Sequence, residues 1–146
     1  MKNIICEKEL SDTDALQKAV KVFDSLGMET IYLSSSAHDK HLAYVSHLSH
    51  ISSFTLSLTV LDIEKDEDQI FNLASTGYDS TARLAKSNPN TWTPIFEKNS
   101  EHLLTALEKY SDILDKFKKA LKEQNTSALH QLMSEANDIK RVLNKK

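Results

Sequence analysis

The segment HLAYVSHLSHIS, residues 41–52, sets three histidines and three serines among apolar residues. A neutral imidazole donates one hydrogen bond and accepts another, and it titrates near neutrality. A histidine on an apolar helix face is therefore either a packing residue with satisfied nitrogens or a ligand group facing a polar pocket. At about 100° of helix per residue, measured from His38, His41 lies near 300°, His47 near 180° and His50 near 120°. The four thus form two pairs on roughly opposite faces. That spacing excludes one metal site drawing on all four, and no carboxylate or thiolate at ligand spacing completes a site for either pair. His38 and His41 fall at the polar start of the helix and are expected in solvent. His47 and His50, three apart with Ser46 beside them, share a face in the apolar half. Satisfied core histidines are one reading; a pair that binds a hydroxyl or carboxylate of a small ligand is the other.

Arg83 lies in GYDSTARLA, followed by SNPNTW. Its guanidinium is always charged and offers a planar fork matched to a carboxylate, so it reads as an anion anchor or as one half of a surface salt bridge. Trp92 reads as a core or interface anchor, or as a platform for a ligand. Cys6 is the single cysteine. It allows no intrachain disulfide, and within NIIC it fits a small strand hydrophobe better than a nucleophile. The chain contains no G-x-G-x-x-G, P-loop, G-x-S-x-G or zinc signature.

The elements that would position these residues begin with a short β-like run, Asn3–Cys6. From Ser11 a helical pattern repeats through Ala15, Leu16, Ala19, Val20, Phe23 and Leu26, with Gly27 as the closing C′ residue. ETIYLSS then predicts a second strand, giving a β-α-β unit with a crossover helix. Two parallel strands make no stable sheet alone, so further strands are expected beside them, and the chain reads as the trailing part of a longer protein. A helix is predicted from Ser36, as N-cap with Asp39 three positions on, to about Leu61. It is apolar nearly all round at Leu48, Ile51, Phe54, Leu56 and Leu58, which implies neighbours on several sides. DIEKDEDQ reads as an acidic solvated turn. Ile70, Phe71, Leu73 and Ala74 predict a short helix stopping near Gly77, and Asn88-Pro89 a break. From Trp92 to Leu121 one apolar stripe holds helical spacing for about eight turns. A last helix starts near Asn125 or Thr126, with Lys140, Arg141, Lys145 and Lys146 at its C-terminal dipole.

The 146 residues, 40% of them apolar, suffice for a packed core, and two glycines and two prolines favour long helices. A net charge of −3 from 18 basic and 21 acidic residues leaves no basic stripe, so no nucleic-acid partner is expected. No apolar run approaches the roughly 20 residues of a membrane span, and MKNIICEKEL lacks the features of a signal peptide; a soluble, cytoplasmic protein is expected. The apolar helix and the long stripe need more cover than this chain supplies, which predicts an intimate homodimer.

HDKHLAYVSHLSH, followed about thirty residues later by GYDSTARLAKSNPNTWTPIFEKN, closely resembles the C-terminal part of the prephenate dehydrogenase family, and the likeness covers nearly the whole chain. The resemblance implies a mainly α fold: an all-helical dimerisation domain of the 6-phosphogluconate dehydrogenase C-terminal type, preceded by a β-α-β remnant of a Rossmann domain. Residues 1–35 would be that remnant and 36–146 the helical, substrate-binding domain. The family's pocket histidines fall on His47 and His50, with Ser46 beside them and Ser49 where proline is usual. Its carboxylate-gripping arginine falls on Arg83 and its tryptophan on Trp92. Two departures, Asp79-Ser80 in place of a basic-acidic pair and Ala82 in place of threonine, leave the anchor intact but not a gating ion pair. The implied reaction is the NAD- or NADP-dependent oxidative decarboxylation of prephenate to 4-hydroxyphenylpyruvate in tyrosine biosynthesis. The resemblance places the catalytic histidine and the glycine fingerprint in a dinucleotide domain, and neither motif occurs in this chain. The expectation is a chain that binds no cofactor and has no activity alone. A non-catalytic homodimerisation module, or another carboxylate-specific member of the superfamily, remains the alternative.

Overall fold

The computed structural model describes residues 1–65, 69–73 and 75–143. By compactness the chain divides into Met1–Leu103 and Leu104–Lys146. It is mainly helical, with one two-stranded parallel sheet.

In the first unit, β1 (Lys2–Cys6) pairs with β2 (Glu29–Leu33), setting Ile4 against Ile31 and Cys6 against Leu33. Between them runs α1 (Thr13–Ser25). Its N-cap is Asp12, one residue after Ser11, where the helical pattern begins, because the Asp12 carboxylate accepts from the Ala15 N–H at 2.8 Å. Gly27, at φ 68°, lets the chain reverse so that the Met28 N–H returns to the Phe23 carbonyl. Ile4, Val22, Leu26 and Tyr32 stay exposed on this unit. Asn3 Nδ2 and Thr30 Oγ1, opposite one another in register, are buried with no partner among the described residues.

Glu7, leaving β1 in a left-handed conformation (φ 49°), accepts through Oε1 from the backbone N–H of Ser35 at 2.6 Å and from its hydroxyl at 2.8 Å. Those two bonds hold its carboxyl below the usual carboxylate range. They also tie the exit of β1 to the first turn of α2 (Ser35–Leu42), whose N-cap is Ser34 and not Ser36: Ser34 Oγ receives the Ala37 N–H at 3.1 Å. The helix does not run on uniformly. Ala43–His47 form a π turn, in which the Leu48 N–H reaches back to the Ala43 carbonyl, before α3 (Leu48–Glu64) continues as an α-helix. A uniform 100° per residue therefore fails across this turn, and the angle between the two histidine pairs is not the one that spacing gives.

The centre of the acidic turn, Asp66–Asp68, lies outside the described residues, as do Ala74 and the terminal lysines Lys145 and Lys146. A 3₁₀ turn at Ile70–Leu73 replaces the helix expected there. Gly77 does not stop it; Gly77 lies inside α4 (Thr76–Ala82), which passes into a second 3₁₀ turn, Arg83–Lys86. Asn88 then caps α5 (Pro89–Lys98), its side chain accepting from the Asn90 N–H at 2.9 Å, with Pro89 at the first helical position, where a missing N–H costs nothing. The stripe from Trp92 to Leu121 is two helices, not one: α5 ends at Asn99, and α6 (Ser100–Lys122) starts after it. Asn99, at φ −112° and ψ 27°, leaves helical geometry there.

In the second unit, the remainder of α6 is followed by Gln124 in the left-handed region and by α7 (Thr126–Ala136), capped by Asn125 onto the Ala128 N–H at 2.9 Å. A 3₁₀ turn, Asn137–Ile139, leads into α8 (Lys140–Leu143). Along α6 and α7, Leu104, Ile113, Leu114, Leu121 and Met133 are exposed.

Candidate functional site

The π turn and α3 carry His47 and His50, and α5 lays three residues of one face against them: Trp92, Phe96 and, at its end, Asn99. These lie four and then three residues apart, the spacing that stacks side chains along one helix face. His47 is 6% exposed and Asn99 8%. The His47 ring meets Trp92 and Phe96 edge-on, at centroid distances of 6.1 and 6.2 Å. His50 lies stacked on the Trp92 face at 3.4 Å. Trp92 and Phe96 pack at 5.5 Å and close this wall of aromatic rings.

Two polar contacts orient the imidazoles. His50 donates from Nδ1 to the Ser46 carbonyl, 2.9 Å away. His47 Nδ1 faces the Asn99 side-chain nitrogen at 3.1 Å, and that nitrogen also donates to the Asp39 carbonyl at 2.8 Å. Both Nε2 atoms are left without a hydrogen-bond partner among the described residues. Burial pushes the pKa of His47 below its ordinary value; Asp39 opposes the shift, and His50 and His38 add to it. The neutral ring is the stable form, suited to hydrogen bonding more than to fixed charge.

Arg83 opens the 3₁₀ turn after α4 and is exposed, with no ion pair among the described residues; the nearby pair is Asp79 with Lys86, at 2.9 Å. Its turn is held to α3 by Ser53, one helical turn after His50. Ser53, 1% exposed, donates to the Thr81 carbonyl at 2.9 Å and accepts from the Ala85 N–H at 3.0 Å. The structure thus brings His47, His50 and Trp92 together and uses the Ser46 carbonyl to aim His50. It fixes the backbone that carries Arg83 to the same helix.

Asn99, Phe96 and Ser53 are the members that the sequence reading does not single out. For Asn99 a signal existed: it is a polar residue at a core position of an otherwise apolar stripe, and such a residue needs buried partners. Ser53 carries no such mark among its neighbouring serines.

The turn after β1, where a Rossmann unit would cradle a pyrophosphate, holds no glycine; it carries Glu7 and Glu9, and the start of α1 is filled by the Asp12 carboxylate. Among the described residues no group of three or more His, Cys, Asp or Glu is placed to hold a metal ion.

Residues 34–135 match the family described as "Prephenate dehydrogenase, dimerization domain". The chain is 25% identical over 131 residues to a prephenate dehydrogenase of Lactococcus lactis, covering 90% of this chain and 37% of that protein. It is similar to the crystal structure of Synechocystis arogenate dehydrogenase, with TM-score 0.82 and 28% identity over 97% of this chain and 52% of that one. It is equally similar to a prephenate dehydrogenase from A. aeolicus in complex with hydroxyphenyl propionate and NAD+, with TM-score 0.81 and 28% identity over 97% and 49%. The chain spans about half the length of these solved proteins.

Proposed function

The chain belongs to the prephenate dehydrogenase dimerization-domain family, and on that footing we propose that it supplies the substrate-binding and dimerising part of an NAD(P)-dependent prephenate dehydrogenase, an oxidoreductase of tyrosine biosynthesis acting in the cytoplasm. Residues 1–35 are the closing β-α-β of a dinucleotide-binding domain and 36–146 the helical domain. The cofactor and the catalytic histidine belong to the region of the relatives that this chain does not span. The anionic turn after β1 supports that assignment. The chain alone transfers no hydride.

The observation that carries the reading is the gathering of His47 and His50 against Trp92, with both Nε2 atoms left for a ligand. In this reading the imidazoles bind oxygen atoms of prephenate, Ser46 lies beside them, Trp92 backs the ring, and Arg83 takes a carboxylate through its fork. Homodimerisation covers the exposed leucines and isoleucines that α3 and α6 each carry.

Kinetics of the longer enzyme test this. His47→Ala and His50→Ala should each raise KM for prephenate at least tenfold, whereas unchanged KM and kcat in both would remove the pair from the site. Reduction of NAD or NADP by the purified 146-residue chain with prephenate would overturn the assignment of the chemistry to another region.

A further inference from the structure

We propose that Asn99 is a positioning residue: its amide fixes His47 as the neutral tautomer with the proton on Nε2, so that the ring offers a hydrogen-bond donor to the ligand and not a proton acceptor. The argument needs only the polarity of the partners. A backbone carbonyl can only accept, so the Asn99 atom 2.8 Å from the Asp39 carbonyl must be the amide nitrogen. The same nitrogen lies 3.1 Å from His47 Nδ1. An amide nitrogen carries two hydrogens and no available lone pair, so one hydrogen goes to Asp39 and the other to His47. Nδ1 must then be bare, and the single proton of the neutral ring sits on Nε2.

His50 has the opposite polarity. Its Nδ1 faces the Ser46 carbonyl at 2.9 Å and must donate, which leaves Nε2 as the acceptor. The two rings together present one donor and one acceptor. A hydroxyl, which accepts and donates at once, satisfies both; a carboxylate satisfies His47 alone unless His50 gains a proton.

Protonating His47 would aim a new Nδ1–H at the Asn99 amide hydrogens, two donors in contact. Among the described residues, the charged and titratable groups around His47 are His38 and Asp39 on α2 and His50 on α3; α5 and its cap bring Trp92, Phe96 and the Asn99 amide against it. Asp39 alone favours the cation. The fixed tautomer therefore holds across the neutral range.

Contact with substrate rests on the function proposed above; the tautomer does not. The decisive measurement is a long-range ¹H–¹⁵N spectrum of the histidine-labelled chain at neutral pH. A His47 ring with bare Nδ1 and protonated Nε2 is expected, and a protonated Nδ1 would overturn the proposal. Asn99→Asp keeps the shape but sets an acceptor against Nδ1. It should move the proton to that nitrogen and raise the His47 titration midpoint by roughly one to three pH units. A midpoint unmoved in a folded Asn99→Asp chain would also overturn it. Should that variant not fold, the wild-type spectrum decides alone. If the tautomer is as expected but His47→Ala leaves KM for prephenate unchanged in the longer enzyme, the substrate reading fails and the role of Asn99 stands.

Discussion

Replacing Ser53 with alanine tests how the turn that carries Arg83 is held. The Ser53 hydroxyl is 1% exposed and bridges the Thr81 carbonyl, at the end of α4, to the Ala85 N–H, in the first turn of the 3₁₀ segment. Both are terminal backbone groups of the kind a helix leaves without an internal partner. Alanine removes one oxygen atom and little volume, so the loss is almost wholly polar. Leaving a buried N–H or carbonyl unpaired costs about 1–3 kcal/mol each. Thr81 is exposed and Ala85 only half-buried, so water can reach part of the gap, and the low end applies: about 2–3 kcal/mol in total. With a urea slope of about 2 kcal/mol per molar, the midpoint should fall by about 1–1.5 M at unchanged slope. Trp92, the single tryptophan, lies in the same unit and reports the transition by fluorescence. Ser52→Ala is the control. Ser52 Oγ bonds only to the Leu48 carbonyl of its own helix, at 2.8 Å, so its removal should cost no more than about 0.5 kcal/mol. Equal midpoints for the two variants would refute the claim that Ser53 holds the turn.

Arg83→Ala in the longer enzyme should weaken binding of a hydroxyphenyl carboxylate by one to two orders of magnitude, with Arg83→Lys intermediate because it keeps the charge and loses the fork; calorimetry with unchanged affinity would remove Arg83 from the site. His47 has a folded pKa below its ordinary 6.5, so the unfolded chain binds more protons in the window between the two values. Stability is then full above about 6.5 and declines as the pH falls through that value toward the folded midpoint. The urea midpoint should be lower at pH 5.5 than at pH 7.5, and His47→Gln should shrink the difference; an equal dependence in the variant, followed by circular dichroism, would count against it. Sedimentation should give a dimer at micromolar concentration, and a stable monomer there would contradict the homodimer inferred from the exposed apolar residues of each helix.

The β-α-β unit, its closing Gly27 and the paired His47 and His50 were legible because hydrophobic period and residue type report them directly. The cap at Ser34 in place of Ser36 turned on which oxygen meets an N–H, a choice that neighbouring cap-forming residues leave open. The joint at Asn99 was hidden for a physical reason. The apolar period runs on unbroken from α5 into α6, so a helix break made by backbone angles alone leaves no gap in the pattern. With the joint went the role of Asn99. The π turn has no compositional signature at all, since Ala43–His47 reads as ordinary helix. Arg83 could be named by its chemistry, but the Ser53 contact that seats its turn joins residues about thirty apart, a relation that local spacing does not contain.

A helix that carries one residue more than its winding needs behaves like a gear with an extra tooth. Removing a single residue from Ala43–Ser46 would let the backbone rewind to the common pitch with its two sides almost unturned, because five residues wound at the wider π pitch and four at the α pitch both close little more than one turn. Asp39 lies before the π turn, His47 closes it, and Asn99 bridges both, so a residue lost inside the turn leaves the two ends of that bridge nearly in place, whereas one lost from the regular helix between Asp39 and the turn would swing them apart by about 100°. A change of length is thus absorbed best where the helix already carries its spare residue.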